Sequence, residues 1–153
     1  LEVYLDGKRF TAAAAGFGNP HLVVLVDRPD EIDVSRHGPE LERDPRFPAR
    51  ANVSFVAVEG AGLRARVWER GVGETRSCGT GACAAAAVAH RRGLVGTSVE
   101  VWLPGGRLEV LLGDPVRLSG PVASVFELSL DLGRLRRSGD GRTDQSGRVD
   151  RQR

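Results

Sequence analysis

One segment of this chain, residues 78–92, dictates its architecture, and it reads CGTGACAAAAVAHRR. The stretch Ala82–Ala89 contains no polar residue, and a helix that is apolar on every face is a buried helix. Two arginines followed by Gly93 are typical of a helix end, so the sequence predicts a helix over Gly79–Arg92. Because its side chains are small, we expect other backbone to approach it closely and the helix to lie at the centre of the molecule.

Strand patterns flank this helix on both sides, and glycine-containing turns join most of them in pairs. The predicted hairpins are Glu2–Leu5 with Lys8–Ala13, Asn52–Val58 with Leu63–Glu69, and Ser98–Leu103 with Arg107–Leu112. Two further strands are predicted at His21–Asp27 and Ala123–Leu130, and short helices at Ile32–Arg36 and Pro39–Arg43. The prediction is therefore an α+β fold, in which a curved, mostly antiparallel sheet wraps around a central alanine-rich helix.

The composition is that of one globular domain: 153 residues, 41% hydrophobic and 27% charged. Residues 134–153 hold seven Arg and three Asp with almost no apolar side chain, whereas residues 1–133 carry a net charge of −2. We therefore expect a folded domain over 1–133 and a disordered basic tail over 134–153. The domain has no basic surface signal for nucleic acid, and no apolar run is long enough to cross a membrane.

Two cysteines, five residues apart, are too few for a disulfide framework and favour a reducing, cytoplasmic location. The chain contains no methionine, so we expect it to be a fragment, an expressed half or a processed product.

Cys78 is the strongest candidate for chemistry. A polar, glycine-broken loop, Glu69–Ser77, delivers its thiol to the first turn of the predicted helix. Unpaired N–H groups and the positive end of the helix dipole meet there, and both favour the thiolate, the reactive form of cysteine. The same N–H groups can hold a carboxylate or phosphate beside the sulfur.

Two other interpretations of this loop compete with a reactive thiol. Residues 79–84 fit the dinucleotide fingerprint G-x-G-x-x-A, with Glu100 at the expected distance, which would make this a nucleotide-binding domain. That fingerprint should follow a buried parallel strand, however, and here it follows a polar loop. Alternatively, Cys78 is a buried structural thiol, the commoner fate of a free cysteine, although its neighbours are polar.

The residues around Cys78 resemble those of the diaminopimelate epimerase family. The run Glu69–Thr75 followed by Ser77–Ala84 resembles the active-site loop in the C-terminal half of that family, and Asn19–His21 and Asn52–Val53 fall where it places substrate contacts. The resemblance covers roughly residues 1–130. It implies two pseudo-symmetric halves with the substrate between them, and an isomerase that needs neither pyridoxal phosphate nor metal.

The family mechanism uses one cysteine from each half, on opposite faces of the substrate α-carbon. One thiolate removes the α-proton and the other thiol donates a proton to the opposite face. The resemblance makes Cys78 one of these two groups. It assigns the substrate α-carboxylate to the backbone N–H groups of Gly79 and Thr80. It makes Glu69 a catalytic residue, which would contact the α-amino group and help to poise the thiol.

The resemblance also assigns residues to the distal end of the substrate. Arg70 would bind the distal carboxylate, and Asn19 and Asn52 would recognise the distal amino-acid group. His21 would support the catalytic thiol from behind. Without the resemblance, Asn19 before a proline is a turn residue and His21 packs in a strand. Cys83 points elsewhere on the helix and is expected in the core.

The expected function is therefore cofactor-independent conversion of LL- to meso-diaminopimelate, a step in lysine and cell-wall precursor biosynthesis. One thiol cannot serve both faces of a carbon, so we expect the chain alone to be inactive. It would need a missing N-terminal half or a second subunit that supplies the partner cysteine. The alternative is a non-catalytic remnant domain that keeps the carboxylate-binding amides.

Overall fold

The computed structural model describes residues 1–129, and residues 1–122 form one compact unit that contains all the helices and strands assigned there. These elements are β1 (Glu2–Leu5), β2 (Lys8–Gly16), β3 (Pro20–Leu25), a 3₁₀ turn (Pro29–Glu31), α1 (Val34–Glu42), β4 (Asn52–Glu59), β5 (Gly62–Glu69), β6 (Gly73–Thr75), α2 (Gly79–Arg91), β7 (Ser98–Leu103), β8 (Gly106–Leu111) and β9 (Arg117–Ser119). None of the helices in the described residues is long and apolar enough to cross a membrane.

Helix α2 is the helix that the sequence predicts. Cys78 is its N-cap, with extended backbone at φ −138°, and Arg92 is its C-cap. Gly93 follows at φ +71°, in the left-handed region where glycine ends a helix without strain. Nearly all of the helix is buried, as its lack of a polar face requires.

The strands form one mixed sheet in the order β1-β2-β3-β4-β5-β7-β8-β9, and β6 pairs with β5. Six of the eight pairings are antiparallel, which confirms the predicted mostly antiparallel sheet and its three hairpins. The pairs β3–β4 and β5–β7 are parallel. Each of these parallel connections contains a helix, as crossover connections between parallel strands usually do.

The two helices pack on opposite faces of the sheet. Helix α2 contacts six adjacent strands, from β2 to β8. Six flat strands would span about 24 Å, twice the width of a helix with its side chains, so the sheet must curve around α2. Helix α1 lies on the other face against β4, β5 and β6, over a separate cluster that includes Val53 and Phe55.

Two sequence predictions differ from the structure. Residues 123–129 contain no strand, so the strand predicted over Ala123–Leu130 is wrong there, and its last residue lies outside the described range. The two short helices are instead one helix, α1, which continues through Pro39. Asp33 starts it by accepting the Arg36 N–H at 3.1 Å, and Val34 and Leu41 are buried against the sheet. The predicted domain boundary at 133 and the basic tail lie outside the described residues.

Candidate active site

The sheet topology brings three of the predicted site residues to one edge. Strands β3 and β4 are parallel and both begin at this edge, and β5, antiparallel to β4, ends there. His21 pairs with Asn52, and the β4–β5 register places Asn52 beside Glu69. Side chains alternate between the two faces of a strand. In each of the three strands, a residue two or four positions from the site residue lies on the same face and belongs to the buried cluster that packs around α2, here called the α2 cluster. Those residues are Val23, Val56 and Val67. His21, Asn52 and Glu69 therefore all face α2.

Cys78 lies where α2 begins above this edge. Its sulfur is 3.7 Å from the Thr80 hydroxyl oxygen. A methyl group placed on Gly81 would lie only 3.2 Å from the same sulfur, so the helix backbone passes close to it. Cys78 is only 6% exposed, which is more buried than its polar sequence neighbours predicted.

The environment of the thiol contains opposing influences on its pKa. Burial is the largest, and it raises the pKa of Cys78 above the usual cysteine value. The Thr80 hydroxyl and the Gly81 N–H lower it, and the Glu69 carboxylate raises it again by repelling a thiolate. The expectation that the helix start alone would give a lowered pKa is therefore wrong for this structure, because burial and Glu69 outweigh the helix amides.

Glu69 is fixed beside the thiol by a neighbouring strand. The Thr75 hydroxyl donates to Glu69 Oε1 at 2.5 Å, and Thr75 belongs to β6, which pairs with the end of β5. Glu74 of the same strand forms a two-pronged ion pair with Arg66, at 2.7 and 3.0 Å. The loop before Cys78 is thus held on both sides of the sheet.

His21 is fully buried, and its Nε2–H donates to Asn19 Oδ1 at 3.0 Å. Burial lowers the pKa of His21, the Glu69 carboxylate opposes that change, and the Arg70 guanidinium adds to it. The imidazole is therefore neutral at physiological pH. The predicted pair Asn19 and His21 is brought together, close enough to Glu69 and Arg70 to sense both charges.

Asn52 and Arg70 are joined through the backbone. Asn52 Oδ1 accepts the Arg70 N–H at 2.9 Å, and Asn52 Nδ2 donates to the Pro20 carbonyl at 3.4 Å. The Arg70 guanidinium donates to the Ala49 carbonyl at 2.6 Å, and its side chain is exposed. Within residues 1–129 it forms no ion pair with a carboxylate, so most of its N–H groups remain available to a ligand.

Gly79 and Thr80 occupy the first turn of α2, where backbone N–H groups have no partner inside the helix. Strand β9 passes over this turn. A Cβ atom on Gly79 would lie 2.9 Å from Leu118 Cδ2, so only glycine fits there without a shift of that side chain.

Cys83 lies further along α2 and is 7% exposed within the α2 cluster, which confirms its predicted core position. Both cysteines are free thiols, as predicted. The described residues contain no group of three or more His, Cys, Asp or Glu side chains that could hold a metal ion.

The structure disfavours the dinucleotide-binding interpretation. The strand before α2 is β6, which has only three residues and pairs antiparallel to β5. Glu100 lies in the middle of β7 rather than at a strand end. The remaining arrangement is typical of sites that use cysteine as an acid, base or nucleophile: a buried thiol, a carboxylate beside it, and unpaired amides next to both.

Comparison with known proteins identifies the family. The family model for diaminopimelate epimerase matches residues 13–117. The chain is 50% identical over 131 residues to a diaminopimelate epimerase of Stutzerimonas stutzeri, covering 83% of the chain and 47% of that protein. It is 50% identical over 122 residues to one of Rhizorhabdus wittichii, covering 78% of the chain and 44% of that protein. The chain belongs to the diaminopimelate epimerase family and spans about half the length of these curated relatives.

Solved structures agree on the fold. A phenazine biosynthesis protein of the PhzF family from Enterococcus faecalis matches with a TM-score of 0.50 at 18% identity, covering 63% of this chain and 35% of that one. The Bacillus anthracis protein of the same family matches with a TM-score of 0.50 at 23% identity, covering 68% of this chain and 35% of that one.

Proposed function

We propose that this chain supplies one of the two proton-transferring cysteines of a diaminopimelate epimerase, with Cys78 as that residue. The observation that carries the proposal is the position of its thiol, on the N-cap residue of α2, beside the Glu69 carboxylate and next to the first turn of the helix. The family assignment supplies the substrate class, and the reaction would serve lysine and cell-wall precursor biosynthesis in the cytoplasm.

In the proposed reaction the substrate α-carboxylate binds the N–H groups of Gly79 and Thr80. These amides are fixed in direction before the substrate arrives, so they stabilise the negative charge that develops when the α-proton leaves. Glu69 accepts a hydrogen bond from the α-ammonium group. The α-carbon then lies next to the Cys78 sulfur.

The raised pKa of Cys78 suits the proton-donating direction, because the residue is then a thiol at neutral pH. A base on the opposite face removes the α-proton and becomes protonated. The Cys78 S–H bond breaks, its proton forms the new C–H bond on the near face, and the sulfur is left as a thiolate. The α-carbon is inverted. In the reverse direction the Cys78 thiolate is the base, and the helix amides and the Thr80 hydroxyl stabilise it.

The distal end of the substrate would be bound by Arg70 and recognised with the help of Asn19 and Asn52. Arg70 is suited to a carboxylate because its planar guanidinium can donate two parallel hydrogen bonds. Asn52 contributes by holding the Arg70 backbone. His21 supports the thiol from behind as a neutral imidazole.

A second acid or base must reach the opposite face of the α-carbon. Cys83 cannot do so, because it lies five residues after Cys78 and, at 3.6 residues per turn, points to a different face of α2. We propose that this group comes from the half of the epimerase that this chain does not match, or from a second subunit. The 153-residue chain alone is then expected to leave diaminopimelate unchanged.

Reconstitution tests this proposal. The chain would be combined with the N-terminal half of the Stutzerimonas stutzeri relative in D₂O, and deuterium at the α-carbon of diaminopimelate followed by mass spectrometry. We expect deuterium uptake and epimerisation in the mixture and neither with the chain alone. Cys83→Ala is the matched cysteine control and should stay active. Epimerisation by the chain alone, or a stable complex of the two halves that takes up no deuterium, would contradict the proposal.

A further inference from the structure

Glu42 is the only buried carboxylate among residues 1–129. It ends helix α1 on the face of the sheet opposite to α2, and it is 3% exposed. Charged side chains are rarely buried so completely unless they are paired, because losing their hydration is costly.

Among the described residues, the Glu42 carboxylate contacts hydrogen-bond donors. Glu42 Oε2 accepts the Trp68 indole N–H at 2.7 Å, and Oε1 accepts from Arg50 Nη1 at 3.4 Å. The Gly71 backbone N–H lies near enough to the carboxylate to help lower its pKa. In addition, the Glu42 backbone carbonyl accepts the Ala51 N–H at 3.1 Å.

The partners of Glu42 are the chain neighbours of the site residues. Trp68 directly precedes Glu69, Gly71 directly follows Arg70, and Ala51 directly precedes Asn52. Resting on the proposed function, we propose that Glu42 is a positioning residue that holds Glu69 and Arg70 in place from the far side of the sheet.

The carboxylate itself matters for this role, and not just the shape of the side chain. A carboxylate only accepts hydrogen bonds, and both of its oxygens here face donors. Glutamine has nearly the same shape, but its NH₂ group would face one of these donors and leave it unpaired. Glu42→Gln therefore removes one of the two side-chain contacts and the negative charge, while changing the volume very little.

The consequence can be measured at the Cys78 thiol. Glu69 is the charged group that acts on this thiol, and its carboxylate disfavours the thiolate. The second thiol, Cys83, is the other titratable group near it. If Glu42 no longer holds the end of β5, Glu69 moves away from Cys78, and the thiolate forms at lower pH.

The experiment measures the rate of Cys78 alkylation by iodoacetamide against pH in the full chain, with Cys83→Ala as background so that one thiol remains. For Glu42→Gln we expect the midpoint of the profile to move to lower pH, with alkylation at about pH 7.5 faster by about threefold or more. Loosening of the structure would raise the limiting rate at high pH, which reports access to the sulfur, and would also lower the midpoint, because burial raises the pKa of Cys78. The double variant described below separates loosening from an effect through Glu69. Glu59→Gln, at an exposed carboxylate paired with Arg64, is the matched control and should leave the profile unchanged.

The double variant decides whether Glu42 acts through Glu69. We expect Glu69→Gln alone to lower the midpoint, and Glu42→Gln to add nothing to it, because the two residues act in series. An unchanged midpoint in either single variant, or additive shifts in the double variant, would overturn the inference. If Glu42→Gln does not fold, Trp68→Phe removes one donor while keeping the ring, and it must shift the midpoint in the same direction. The alkylation measurements need no epimerase activity. The positioning role of Glu42 can therefore hold even if the reconstitution fails, and the reconstitution can succeed even if Glu42 has no positioning role.

Discussion

Gly38→Ala is expected to destabilise the protein strongly, although the substitution adds a better helix former to α1. A Cβ atom at this position would lie 2.5 Å from both Cγ and Cδ2 of Trp68 and 2.8 Å from its Cβ. These distances are far inside van der Waals contact and lie against the rigid base of the indole. The ring must therefore move by about 1 Å, and α1 must move away from the sheet with it.

The magnitude follows from three contributions. Overpacking costs about 1–3 kcal/mol, and loss of the Trp68 hydrogen bond to the charged Glu42 costs about 1.5–3 kcal/mol. Replacing glycine by alanine inside a helix returns at most about 1 kcal/mol, and less here because residue 39 is proline, which disfavours helical backbone before it. We expect a net loss of about 1.5–6 kcal/mol in the free energy of unfolding.

Urea unfolding followed by circular dichroism measures this loss, and the emission of Trp68 in a Trp102→Phe background reports the displaced indole. Gly96→Ala is the matched control, since a Cβ atom there meets nothing within 4 Å, and its effect should stay within about 0.5 kcal/mol. A Gly38→Ala variant as stable as the original chain would refute the packing of α1 on Trp68.

Three further outcomes are expected. Gly81→Ala places a methyl group 3.2 Å from the Cys78 sulfur, so it should slow alkylation of that thiol severalfold. Because alanine is the better helix former, the free energy of unfolding should stay within about 1 kcal/mol of the original. Equal alkylation rates would count against the close approach of α2 to the sulfur. Asn52→Ala leaves the Arg70 N–H unpaired and should lower stability by about 1–3 kcal/mol in urea unfolding, and a loss below about 0.5 kcal/mol would mean that this bond contributes little. The Trp68 hydrogen bond lowers the pKa of Glu42, so this carboxylate stabilises the fold above its unfolded pKa near 4.5, and that stability is lost as the pH falls through the lower folded value. The stability difference between the original chain and Glu42→Gln should therefore narrow between about pH 7 and about pH 3, and a constant difference would contradict this assignment.

The local elements could be predicted from the sequence because their signals are local. An apolar alanine run with a glycine stop defines α2, and two- to three-residue turns with glycine define the hairpins. The parallel pairings β3–β4 and β5–β7 carry no such signal, because they depend on which strands meet after the crossovers. A strand pattern does not ensure a partner strand either: residues 123–129 mix apolar and polar side chains as a strand would, but contain no strand.

In the candidate site, too, the features with a local sequence signal could be predicted, and those that depend on distant residues could not. The motif around Cys78 located the thiol, Glu69 and the first turn of α2, and the structure brings these together. It did not predict that Cys78 would be buried, because burial depends on β9 and on the close packing of α2 against Val67. Glu42 was missed because a glutamate in a polar, charged segment is normally exposed, and its side-chain donors, Arg50 and Trp68, are 8 and 26 positions away in sequence.

The most direct test of the account replaces Cys78 with alanine in the reconstituted two-half protein and measures inversion of diaminopimelate at its α-carbon. With Cys78 as the proton donor on one face, inversion should fall by about a hundredfold or more while binding of the two halves is retained. Inversion at a rate close to that of the unsubstituted protein would contradict the assignment of Cys78 as an acid and base.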